Sequence, residues 1–206
     1  MKDIKIGAVF LLAALTLWLV QLSGGDQALA GRIRDDVLRF HVIGASNRQE
    51  DQELKLQVRS LLLEEIETGM EGQPSSKEAL VSYINLHKLE LKKEADDFIR
   101  SQGFDYESSV EVGVSHFPTK FYGDMLFPAG DYDAVRVVLG KGKGRNWWCV
   151  LYPSLCFVSD TAAVVPDSSK AQLAGMLAEE DYASLFSSHP DIRISFRLLE
   201  WWNSSF

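Results

Sequence analysis

Residues 132–152 read YDAVRVVLGKGKGRNWWCVLY, and the reading of the glycine-rich middle decides the fold. Tyr132–Leu139 and Trp147–Tyr152 are apolar runs rich in β-branched and aromatic residues, the composition of strands. Gly140–Asn146 joins them. The string Gly140-Lys141-Gly142-Lys143-Gly144-Arg145 resembles a phosphate cradle only on the surface. A nucleotide P-loop needs GxxxxGK, then Ser or Thr, then a helix. Here Asn146 and two tryptophans follow, in a strand. A dinucleotide fingerprint would need glycine where Arg145 stands. The segment therefore reads as a hairpin loop between two strands, with glycine supplying positive φ. Its three cations, Lys141, Lys143 and Arg145, are candidates to touch anionic lipid or an acidic partner surface.

Working outward, Val37–Ala45 (VLRFHVIGA) reads as a buried strand. Ser46 and Gln49 have capping-box spacing. Leu54, Val58, Leu61, Leu62 and Ile66 then recur at helical spacing, so a helix is expected over 48–67. Gly69, Gly72 and Pro74 break it. Ser75 and Glu78 repeat the capping pattern, and Leu80, Ile84, His87, Leu91, Ala95 and Phe98 mark one face of a long helix to Arg100, with Gly103 placed to end it. Lys88, Glu90, Lys92 and Lys93 form its solvated side. Ser109–His116 alternates as a strand. A further helix is expected over 169–187 and a last strand at Ile192–Trp202 (IRISFRLLEWW). The order β-α-α-β-β-β-α-β predicts one α+β domain: a mixed or antiparallel sheet with helices packed mainly on one face.

The chain has 206 residues and a formal net charge of −8. Its first thirty residues differ in character. Lys2 and Lys5 precede the apolar run Gly7–Leu22, and the small residues Ala28-Leu29-Ala30 follow, the layout of an N-terminal signal segment with a cleavage site between Ala30 and Gly31. The rival reading is an uncleaved membrane anchor. At ~1.5 Å per residue the run spans about 24 Å, short of a ~30 Å hydrocarbon core. Lys2 and Lys5 hold the start inside, and residues 31–206 form the exported domain. Lys2, Lys5, Asp3 and Asp26 cancel, so that domain keeps the full negative charge. So acidic a domain is a poor binder of nucleic acid, and the expected partner is protein.

Cys149 and Cys156 are the only cysteines. Three readings stay open: a disulfide across the Pro153 turn, two buried free thiols, or a reactive Cys149. Strand alternation puts Cys149 on one face with Trp147 and Leu151. A nucleophile needs a base, and the candidates are His41 in the first strand and His116 before Pro118. His87 reads as a core histidine and His189 as part of a turn. No histidine pair has metal-ligand spacing, and Asp51 and Glu53 fit the first helix's dipole. The segment Phe117–Gly130 (FPTKFYGDMLFPAG) carries Phe121, Tyr122 and Phe127, which read either as interface anchors or as core. No cofactor and no small-molecule substrate are expected.

Three stretches carry a family resemblance: RFHVIGASNRQEDQELKLQVRS (39–60), FPTKFYGDMLFPAGDYDAVRVVLGKGKGRNWWCVLYPSLCF (117–157) and LLEWW (198–202). Together they resemble the stage II sporulation protein R family of endospore-forming bacteria, across nearly all of the domain. Asn146–Cys149 with the following Pro and Cys is the specific block. The resemblance implies a signalling protein, made in the forespore and exported into the space between the two septal membranes, and offers no established catalytic residues to carry over. It implies a partner there, a membrane-embedded aspartic protease that processes pro-sigma factor E. The rival function is an exported cysteine hydrolase with Cys149 as nucleophile, under which Cys149→Ala or Cys149→Ser would abolish signalling while the fold persists. The chain departs from the family at Gly44-Ala45, where members usually read Ala-Asn, and at Ser154, where a second proline is common. The first departure removes an amide side chain able to cap the helix or meet a partner.

Overall fold

The computed structural model describes residues 28–70, 75–156 and 165–186. The apolar run Gly7–Leu22 expected as a signal segment, His189 and the strand expected at Ile192–Trp202 lie outside the described residues. The sheet is built around β1, Leu38–Ile43. Its side chains are buried almost throughout, on both faces. A strand with that pattern must be central. β2 is Ser108–Phe117, β3 Lys120–Tyr122, β4 Met125–Phe127, β5 Gly130–Leu139 and β6 Asn146–Tyr152. The main sheet has the order β2-β5-β1-β6. β1 pairs parallel with β5, through Arg39↔Ala134 and Val42↔Val137, and antiparallel with β6, through Phe40↔Cys149 and Val42↔Trp147. β2 runs antiparallel to β5 along ten residue pairs.

This topology corrects one expectation. β5 and β6 are consecutive strand runs, yet they do not form a hairpin. β1 lies between them, so residues 140–145 arch over its C-terminal end. The physical reason is burial. Arg39, Phe40, His41 and Val42 are each 4% exposed or less, and only two flanking strands can satisfy a backbone so enclosed.

Helix α1, Gln49–Gly69, and helix α2, Lys77–Ser101, cover one face of the sheet. Phe40, Val42, Val135 and Val137 point to them, together with Leu54, Val58, Leu62, Leu80, Ile84 and Ile99. Each such side chain contributes roughly 1.5–3 kcal/mol on full burial. α2 is capped by Ser76, whose hydroxyl accepts from the Ala79 amide at 3.1 Å, one residue beyond the cap expected at Ser75. The capping box expected at Ser46 and Gln49 is replaced. Ser46 Oγ donates to the Asp51 carboxylate, and Gln49 bonds Glu53 on the solvent side. His87, expected in the core, is half-exposed beside the Tyr83 ring and bonded to Glu90.

The opposite face carries Arg39, His41, Phe117, Tyr132 and Trp148. A hairpin of β3 and β4, unforeseen from sequence, folds over part of it. The helix expected at 169–187 is two: α3, Asp167–Met176, and α4, Glu179–Ser184. Leu177 breaks it with extended dihedrals, which lets Leu173, Leu177 and Leu185 all reach the core. The Leu126 amide donates to the Leu185 carbonyl at 2.7 Å and Lys170 pairs with Asp124, tying this unit to the hairpin.

Candidate functional site

Residues 140–145 are held at nearly every amide. Gly140 N donates to Glu107 O, Gly142 N to Leu139 O, Lys143 N to Ala45 O, Gly144 N to Gly44 O, and Arg145 N to Asn47 Oδ1. The Gly44 amide returns a bond to the Arg145 carbonyl, which also accepts from Lys55 Nζ. Gly140 and Gly142 sit at φ +53° and +58°. A Cβ at Gly142 would strike Val138, and one at Gly144 would collide with the Ser46 carbonyl. The glycines therefore face inward and the cations outward: Lys141, Lys143 and Arg145 are exposed, with the intervening glycines half-buried. Because the amides are consumed internally, the segment is no phosphate nest, which needs free N–H groups converging on an anion.

The cations stand on a basic flank of α1. Lys55 is 5% exposed, and burial, then Arg59 and Arg145, push its ammonium below the ordinary lysine range. Arg59 lies 4.5 Å over the Trp147 ring. Among the described residues, no carboxylate lies within ion-pair distance of Lys141, Lys143 or Arg145, although Arg48 beside them pairs with Glu50 and Asp51. Asp51 is a buried pin rather than a simple dipole partner. Burial would raise its carboxyl, but hydrogen bonds from Ser46, Tyr106 and Arg48 outweigh that and hold it below the usual carboxylate range.

The aromatic candidates separate. Tyr122 is 7% exposed and Phe127 fully buried, so both sit in the core. The cause is Arg39. This guanidinium is fully buried, donates to Cys149 O at 3.1 Å and Tyr122 Oη at 2.9 Å, and is boxed by the rings of Phe117, Tyr122, Phe127 and Tyr132 at 4.3–5.7 Å. Phe121 alternates outward and is 67% exposed. It does not join the loop cations. It lies on the hairpin that precedes Gly130, whereas the cations follow Leu139, and β5 between them spans about 30 Å at ~3.3 Å per residue.

Cys149 and Cys156 are joined by a disulfide, with Cα atoms 5.2 Å apart and both residues buried. His41 lies on the other sheet face from Cys149. It stacks on Trp148 at 4.6 Å and packs against Phe117. Burial, with Arg136 and Arg39 nearby, lowers its pKa to about 4. His116 is exposed on β2 and bonded to Asp131. In this geometry the Cys149 sulfur is bonded to Cys156, and His41 and His116 make their contacts elsewhere.

At the start of the described chain, residues 28–33 form a helical turn. Leu29, Ala30 and Ile33 are buried, and a Cβ at Gly130 would collide with Ala30. Lys77 Nζ donates to the Arg34 and Asp35 carbonyls and to Asp133, while Arg32 pairs with Asp181. The Ala30–Gly31 junction is thus inside an element sewn into the domain. No described helix is long and apolar enough to cross a membrane.

Sequence reasoning missed the hairpin and the arginine box. Gly123-Asp124 between Phe121-Tyr122 and Met125-Leu126 is a two-residue hairpin signal, and an arginine inside an apolar central strand demands a specific enclosure.

Comparison with known proteins bears on these features. The profile of Stage II sporulation protein R (spore_II_R) matches residues 34–162, which include β1, the box, the arch and both cysteines. Stage II sporulation protein R of Bacillus subtilis (strain 168) is 34% identical over 163 residues, 77% of this chain and 72% of that protein. No solved structure matches. With the match running through the central sheet and the half-cystines, the chain belongs to the stage II sporulation protein R family.

Proposed function

We propose that this chain is an exported sporulation signal that activates, by binding, the membrane-embedded protease processing pro-sigma factor E. Residues 1–30 direct export of the domain from the forespore into the space between the septal membranes. Family membership supports the sporulation role. The observation that carries the binding mode is the pairing of a bonded, buried Cys149 with a hydrogen-bonded arch whose three exposed cations form no ion pair among the described residues. Activation then follows from preferential affinity for the protease's active state.

The test is processing of the sigma precursor in membranes reconstituted with the protease and the full chain. Replacing both cysteines, Cys149→Ala with Cys156→Ala, removes the cross-link and costs about 2.5 kcal/mol of stability in the chain-entropy picture. At temperatures where circular dichroism shows the variant folded, it is expected to keep triggering processing. Loss of the signal by the folded double variant would restore the hydrolase reading.

A further inference from the structure

The cationic arch and the start of the domain occupy opposite ends of the sheet. Residues 28–36 lead into the N-terminal end of β1 and pack beside Gly130. The arch crosses the C-terminal end of β1 and follows Leu139. Since β1 and β5 are parallel, the two sites are separated by the length of β5, about 30 Å. The arch therefore lies at the end of the sheet far from residues 28–36.

We propose that this end of the sheet is a docking comb for an acidic segment of a protein partner, with Lys141, Lys143 and Arg145 as its teeth and Arg59 as its flank. This rests on the binding reading above and names the chemistry of the partner surface. Three observations favour an acidic polypeptide over other anions. The arch amides are spent on residues 44–47, 107 and 139, so recognition falls to side chains, which suits several spaced carboxylates better than one phosphate. The large apolar side chains exposed among the described residues are Leu56, Leu86, Leu89, Val114 and Phe121; none belongs to the arch, which has no wedge to enter a bilayer. On a strongly acidic protein, Lys141, Lys143 and Arg145 are also exposed cations that form no ion pair among the described residues, so partner carboxylates can meet them. The remaining negative charge repels an acidic partner from other approaches, so the comb sets orientation and association rate.

The experiment follows association of the fluorescently labelled full chain with protease-containing membranes, and precursor processing, at low and high salt. Wild type is compared with a triple variant carrying Lys141→Glu, Lys143→Glu and Arg145→Glu, in membranes of neutral phosphatidylcholine and of phosphatidylglycerol. The inference expects association of the wild type to slow roughly tenfold or more with salt, and the triple variant to be about as slow at low salt, in both lipids. Unchanged association of the triple variant overturns it. A defect seen only in phosphatidylglycerol overturns it in favour of lipid headgroups. The activation reading fails separately. If association is salt-sensitive and comb-dependent but no processing follows, the comb stands and activation falls. If processing is driven equally well by the triple variant, activation stands and the comb falls.

Discussion

Arg39 and the three cations of the arch carry the same charge to opposite ends of β1 and meet opposite fates. Arg39 is withdrawn from water into a box of four aromatic rings and two hydrogen bonds. Among the described residues, no carboxylate forms an ion pair with it. Lys141, Lys143 and Arg145 remain in water on a backbone that is fixed by its own amides. The box closes the hairpin onto the sheet, since both Tyr122 and Phe127 face the guanidinium. A buried cation of this kind is committed to the fold, because its desolvation is offset only there, by the two hydrogen bonds and the ring faces around it. Cations exposed on a rigid arch contribute little to folding and stay available for association.

The comparison is broken most sharply at Arg39. Arg39→Ala empties the box and removes the hydrogen bonds to Cys149 O and Tyr122 Oη, with an expected loss of about 3–5 kcal/mol in urea unfolding. Arg39→Met fills the space without charge and is expected to lose much less. Equal losses for the two would show that filling the box does not matter. His41, next along the same face, gives a smaller and pH-dependent effect. Its folded pKa lies near 4, below the ordinary histidine value, so the unfolded chain takes up the proton first. Stability from this residue is complete above pH ~6.5 and falls as the pH drops toward 4. His41→Phe, which keeps the ring against Trp148, is expected to flatten that fall by on the order of 2 kcal/mol between pH 7 and 4. A parallel pH profile would remove the assignment. The smallest effect belongs to the arch. Glutamate at 141, 143 and 145 together should move stability by only about 0.5 kcal/mol, as expected for exposed sites with no ion pair among the described residues. A large loss would mean that the cations serve the fold after all.

The local elements were legible in the chain because they obey local rules. The apolar spacing from Leu54 to Ile66 and from Leu80 to Phe98 follows the helical period, and both helices stand where that spacing puts them. Strand partners were not legible. Whether β6 returns along β5 or along β1 depends on which strand most needs a neighbour, and burial on both faces decided for β1. The box was half-written. Val37–Ala45 announced a buried strand with Arg39 and His41 inside it, but the rings that enclose Arg39 come from residues 117–132. At the candidate site, the cations of the arch were visible as charges on a glycine loop of an acidic domain. Their distance from Phe121 was not, because it is set by the direction of β5.

The place of β1 also governs how the molecule can be assembled. Arg39 and Cys149, bonded across the sheet, lie 110 residues apart in sequence. Both neighbours of the first strand arrive only after the helices and β2 have been made. A chain supplied from its N-terminus therefore carries an unsatisfied central strand, with a charged arginine and a histidine in it, until β5 and β6 follow. Pairing over such separations is slow compared with helix formation, because loop entropy is lost before contacts repay it. The sheet therefore closes from its middle and late, and a fragment ending before residue 130 has helices but no place to put its first strand.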